Sequence, residues 1–256
     1  MSQLTVNQNW IIQSSDIALG QEIGRGSFGV VYKSAYQHMD VAIKKIQSSA
    51  TDVERIQAAN SLNNEVKALG QCQHQNIVRL LGACIDPPML IMEYAKNSTL
   101  RDVLDDKSRA LTETDKLNIL IGICDGMTVA HKKGILHLDL KPTNVLMNGM
   151  TPWVADFGMS IHMTATMSSN TRGTFMYKAP ELFQDNDEDD DSDSDGDGDG
   201  ERKTTNRSKS IKKTYHPSAD VYSFGMLSWE VFSGKVPFIN KKFEQVATMH
   251  IKAEND

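Results

Sequence analysis

The sequence predicts an α+β fold in two lobes: a small antiparallel β lobe holding one helix, then a larger, mainly helical lobe. Two observations predict it. Between residues 17 and 95 the chain is a series of short, β-branched apolar runs broken by glycine and polar turns. After Tyr94 the apolar residues recur at helical rather than alternating spacing. The expected division is an N-terminal extension over 1–16, a first lobe over 17–95 and a second over 96–256, the last carrying an insertion at 185–213.

The elements follow in order. IALGQEIG and GVVYKSAY bracket a glycine-rich turn, and MDVAIKKI continues with strand alternation. The stretch TDVERIQAANSLNNEVKALGQ places Val53, Ile56, Leu62, Val66 and Leu69 near a helical period, with Asp52 and Glu54 at the end where acidic residues suit the helix dipole. NIVRLLGACI and PMLIMEYA supply two more strands. TETDKLNILIGICDGMTVAHKKG opens on a Thr112 cap, carries Leu117, Leu120, Ile121, Cys124 and Met127, and ends in lysines before Gly134. A further helix, PSADVYSFGMLSWEVFSG, is apolar nearly all round, as suits the centre of a lobe.

Composition excludes several classes. No run approaches the ~18 apolar residues of a membrane span, and the N-terminus lacks a basic opening followed by an apolar core, so a cytoplasmic protein is expected. Cys72, Cys84 and Cys124 form no CxxC pair and read as buried, reduced thiols. Of the 33 acidic residues, eleven lie between Asp185 and Glu201, so the net charge of −6 is local. That acidic run and the basic stretch after it lack the apolar residues that offset ordering entropy, and a disordered insertion is expected. Asp191, Asp193, Asp195 and Gly196 begin like a calcium loop, but Arg202 stands at its closing position.

The chemistry sits in short motifs. Gly24, Gly26 and Gly29 have the spacing G-x-G-x-x-G, and strands rather than a helix follow. That describes a hairpin whose tip can lie over phosphates, or an ordinary glycine-containing hairpin, and it excludes a dinucleotide-binding oxidoreductase loop. In VAIK, strand alternation sends Ala42 and Lys44 to one face and Val41, Ile43 and Lys45 to the other, making Lys44 the cleft lysine. Its ammonium needs an anionic partner, for which Glu65 and Glu54 compete and Glu65 is preferred.

Five motifs in order, GRGSFGVV from Gly24, VAIK ending at Lys44, HLDLKPTN from His137 to Asn144, DFG from Asp156 and APE ending at Glu181, resemble a eukaryotic protein kinase. RLLGAC and DVYSFGMLSWEVFSGKVPF are similar to the tyrosine-kinase-like group of serine/threonine kinases, and Lys141 and Thr174 fit serine/threonine substrates. The resemblance implies ATP and Mg2+ as cofactors and protein substrates with Ser/Thr acceptors as partners, with no nucleic acid. It makes Asp139 the base at the substrate hydroxyl, Lys141 the cation at the transferred phosphoryl group, and Asn144 and Asp156 the metal ligands. The nucleotide would meet Ile23, Gly24, Arg25, Gly26, Ser27, Phe28 and Gly29 from the glycine-rich hairpin. It would also meet Val31, Ala42, Lys44 with Glu65, Met92, the Glu93 carbonyl, the Ala95 N–H and Leu146. Phe157 would pack against His137 and Leu69.

Two departures stand out. Leu138 replaces the arginine that, in the family, receives a phosphate from the segment holding Thr164, Thr166, Ser168, Ser169 and Thr171, so altered control is expected with the catalytic set intact. A pseudokinase scaffold is the alternative, although Lys44, Asp139 and Asp156 are all kept. No arginine follows Arg207 to hold Glu181, and the chain ends at Asp256. The second lobe is therefore expected to lack its last helices and to offer an open base to a partner.

Overall fold

A computed structural model describes residues 8–26, 29–46, 51–96, 99–108, 110–164, 174–183 and 215–253. Ser27, Phe28, the insertion with its calcium-like stretch, and Thr166, Ser168, Ser169 and Thr171 lie outside the described residues.

The first lobe is one antiparallel sheet in the order β1-β2-β3-β5-β4, built from β1 (Gln21–Gly26), β2 (Gly29–Tyr36), β3 (Met39–Ile46), β4 (Leu80–Cys84) and β5 (Met89–Glu93). The β2–β3 hairpin closes through Gln37 and His38, both at positive φ (49° and 64°), the pairing that matches strand twist in a two-residue turn. Helix α1 (Asp52–Gln71) joins β3 to β4. Residues 8–16 dock at the outer edge of the sheet, where Ile11 bridges Ala83 and the Ile12 N–H donates to the Ala83 carbonyl at 3.0 Å.

The second lobe contains α2 (Leu100–Asp105), α3 (Glu113–Lys132), β6 (Ile135–Leu136), β7 (Val145–Asn148), β8 (Thr151–Val154), β9 (Ile161–His162), α4 (Ser218–Ser233) and α5 (Phe243–Ala253). β7 pairs with β8 and β6 with β9. One apolar cluster runs from Leu62, Val66 and Leu69 on α1 through Phe157 to Ile119, Ile123 and Leu227 on α3 and α4.

Four expectations need correction. On α1 the buried stripe begins at Ala58, and Val53 and Ile56 are exposed, because the helix meets the sheet and the 157–159 turn only with its later turns. On α3 the buried face is Ile119, Leu120, Ile123, Met127 and Ala130, whereas Leu117, Ile121 and Cys124 face outward. Close approach explains this: a methyl group at Gly122 or Gly126 would crowd Asn76 and, at Gly122, Pro152 as well, so the glycines mark the contact face. Cys72 and Cys84 are buried as expected, but Cys124 is not. On α4, Val221, Trp229 and Phe232 are also exposed, so the helix is not covered on all sides among the described residues.

Candidate functional site

Between the lobes lies a cleft of about 600 Å³. Its roof is the β1–β2–β3 sheet, and alternation along β3 works as expected. Val41 and Ile43 are fully buried in an outer cluster with Ile12 and Ile91, leaving Ala42 and Lys44 to line the cleft. Among the described residues no protein atom lies where a Cβ would point from Gly24 or Gly26, whereas a Cβ at Gly29 would lie 2.5 Å from the Lys45 carbonyl. Two of the glycines thus leave room for a ligand, and the third lets strands approach.

Ile23, Gly24, Gly26, Gly29, Val31, Ala42, Lys44, Glu65, Met92, Ala95, Asn144, Leu146 and Asp156 all line this cleft. Arg25 departs from the expected set: its guanidinium turns to Glu22, 2.8 Å away on the surface, because it stands opposite Val30 rather than the cleft-lining Val31, and a register shift between Glu22 and Gly24 brings Glu22 to the same outer face. The Glu93 N–H donates to the Arg79 carbonyl at 3.0 Å, and Glu93 lines a separate cavity with Trp10, Leu69 and Arg79 rather than this cleft. Tyr94, Lys96, Thr99, Asp102, Thr143 and Ala155 also line the cleft and were not anticipated. A T-x-x-D capping box at Thr99 and Asp102, just past the β5 strand, was the available signal for two of them.

Lys44 Nζ donates to Glu65 Oε2 at 2.7 Å and to Asp156 Oδ1 at 2.8 Å. Burial alone would lower the Lys44 pKa, but the two carboxylates override it and hold the ammonium above the usual lysine value. Burial raises the Glu65 carboxyl above its ordinary value, with Lys44 opposing. Asp156 is lowered despite burial, chiefly by the Lys44 charge and hydrogen bond, with smaller help from His137 and Lys141.

The loop at 137–144 is held from below. Asp220, on α4 and almost fully buried, accepts from the His137 and Leu138 N–H groups, each at 2.8 Å, and lies 2.8 Å from His131 Nε2. His137 Nδ1 accepts from the Asp139 N–H, which leaves Nε2 to donate to the Ala155 carbonyl at 3.0 Å. Its ring packs on Phe157 at 4.7 Å between centroids, and Phe157 shares a core cluster with Leu69. Leu138 takes φ 62° and buries its side chain among Leu136, Ile161, Leu182 and Tyr215.

Asp139 is the hub of the loop. Its Oδ2 accepts from Lys141 Nζ at 2.7 Å and Asn144 Nδ2 at 3.0 Å, and its Oδ1 from the Thr174 N–H at 2.8 Å and hydroxyl at 2.9 Å. Lys141 Nζ also donates to Thr174 Oγ1. Asn144 joins this hub to the cleft, which it lines together with Asp156, and its carbonyl accepts from the Ala155 N–H at 2.9 Å. Beside it, Tyr177 donates to the fully buried Glu230 on α4, which also pairs with Arg101 of α2. Glu181, for which no arginine partner was expected, accepts from the Ser218 hydroxyl at 3.3 Å.

The protein kinase domain family matches residues 17–195. Among curated proteins, the chain is 31% identical over 93% of its length to a mimivirus protein carrying the description serine/threonine-protein kinase/receptor, covering 13% of that protein. It is 29% identical over 90% of its length to serine/threonine-protein kinase STY46 of Arabidopsis thaliana, covering 35% of it. It is 30% identical over 89% of its length to human mitogen-activated protein kinase kinase kinase 7, covering 33% of it. The chain therefore spans about a third or less of the length of these relatives.

Proposed function

Because the chain belongs to the protein kinase family, we propose that it transfers the γ-phosphate of ATP to serine or threonine hydroxyls of protein substrates. The carrying observation is the continuous chain of contacts from Glu65 through Lys44 to Asp156, beside the Asp139–Lys141–Asn144–Thr174 cluster.

Val31, Ala42 and Leu146 offer apolar faces to an adenine, and Lys44 offers a fixed cation to the phosphates. Asn144 and Asp156 are hard oxygen donors, and two such ligands suit Mg2+, which usually completes its shell with water and phosphate oxygens. When bound, the metal offsets charge on the phosphates. Asp139 orients the acceptor hydroxyl and takes its proton, as the new oxygen–phosphorus bond forms and the bond to the ADP leaving oxygen breaks. Lys141 neutralises charge on the group in transfer, and Thr174 holds both it and Asp139 in place. Action in the cytoplasm is part of this reading, in keeping with the free, buried thiols of Cys72 and Cys84.

The test is Asp139→Asn. It should abolish Mg2+-dependent phosphate transfer to serine and threonine while nucleotide affinity changes little. Wild-type protein that binds ATP yet transfers no more phosphate than Asp139→Asn would overturn the proposal and favour a scaffold.

A further inference from the structure

Residues 8–13 cross the open edge of β4 and put alternate side chains into two different cores. Trp10 packs against the main cluster, which includes the inner face of α1, and Ile12 enters the outer cluster with Val41, Ile43 and Ile91. Two glycines receive them. A side chain at Gly82 on β4 would overlap Ile12 and sit 2.8 Å from the Trp10 carbonyl, so the strap requires a glycine there. Gly70, in the last turn of α1, takes the Trp10 indole at contact distance, 3.5 Å from where a Cβ would stand. The strap thus grips both α1 and the strand beneath it.

The same helix carries Glu65, one turn and a half before Gly70. Glu65 is almost fully buried, and its carboxylate pairs with Lys44 at 2.7 Å. A buried ion pair tolerates little displacement, because neither charge can fall back on water. An element that fixes the C-terminal end of α1 against β4 therefore sets the distance on which Lys44 depends.

We infer that Trp10 and Ile12 are positioning residues for the Lys44–Glu65 pair, acting through α1 from outside the cleft. The inference rests on the kinase reading, since it assigns the strap's effect to the nucleotide site. It asks for Trp10→Ala and Gly82→Val, each made in the wild-type chain and in Glu65→Gln, with kcat/KM for ATP and affinity for a non-hydrolysable ATP analogue measured well below the melting temperature. Gly82→Val leaves the strap residues unaltered and adds a good strand former, so the two variants perturb the fold differently.

Each variant should lower both quantities roughly tenfold in the wild-type background and less than half as much, on a logarithmic scale, in Glu65→Gln. Trp10→Phe should restore most of the loss. A purely structural strap would lower the melting temperature and act equally in both backgrounds. Equal effects, or none in the wild-type background, overturn the inference. If the wild-type chain transfers no phosphate the kinase reading fails separately, and the analogue affinities still decide the role of the strap.

Discussion

The Lys44 ammonium donates to Glu65 at 2.7 Å across the gap between β3 and α1, and the burial of Glu65 at this contact gives activity and stability opposite pH dependences. Glu65 is raised mainly by burial, with Lys44 opposing. A carboxyl whose folded value is raised stabilises the fold most when protonated. Its contribution is full below the ordinary glutamate value and fades as pH rises through the folded one. Activity needs the anion. We predict that kcat/KM for ATP falls on the acid side at a pH above the ordinary glutamate range, and that Glu65→Gln is slower but lacks that limb. The same limb in both proteins would assign it to another group.

Leu138 belongs to an apolar cluster with Leu136, Ile161 and Leu182, where an arginine would bring a charge among apolar side chains. Leu138→Ala should cost about 2–3 kcal/mol in chemical denaturation, and Leu138→Arg about 3 kcal/mol or more. With packing in place of a phosphate–arginine contact, phosphatase treatment should alter activity only modestly. A hundredfold loss would show that another cation binds a phosphate.

Glu230 is fully buried between Arg101 and Tyr177, so the two partners should not be equivalent. Tyr177→Phe removes one hydrogen bond and should cost about 1–2 kcal/mol. Arg101→Met strands a buried carboxylate and should cost about 3–5 kcal/mol. Urea titrations that ranked the two variants the other way would mean that water reaches Glu230.

The three thiols should separate under alkylation at pH 8. Cys124 is exposed, while burial pushes the Cys72 thiol up to about 11, Lys133 opposing, and raises Cys84 as well. Mass spectrometry should find Cys124 modified first, and the other two only after unfolding.

The site was legible where chemistry dictates residue type. Alternation along β3 located the cleft lysine and its need for an anion pointed to Glu65, whereas Asp139, Asn144 and Asp156 were located by the ordered motifs that resemble a protein kinase. Helix faces were less legible. α3 has apolar residues all round, and hydropathy alone selected Leu117 and Ile121, whereas Gly122 and Gly126 identified the face that other backbone approaches. Arg25 was carried into the expected site by its neighbours' motif, although its place opposite Val30 turns it away. Trp10 left no trace because its significance lies in glycines far along the chain, and only the fold brings them together.

The segment that holds Trp10 also finishes a sheet. β4 is the last strand in the order β1-β2-β3-β5-β4, and an unfinished edge of that kind is a template for another chain. Ile11 and Ile12 occupy it through Ala83. A protein trimmed to begin at residue 17, where the family resemblance starts, would keep every group in the cleft yet bare that edge and the apolar side chains beside it. Self-association is the expected outcome, and on this reading residues that lie ahead of the catalytic unit help to keep it soluble.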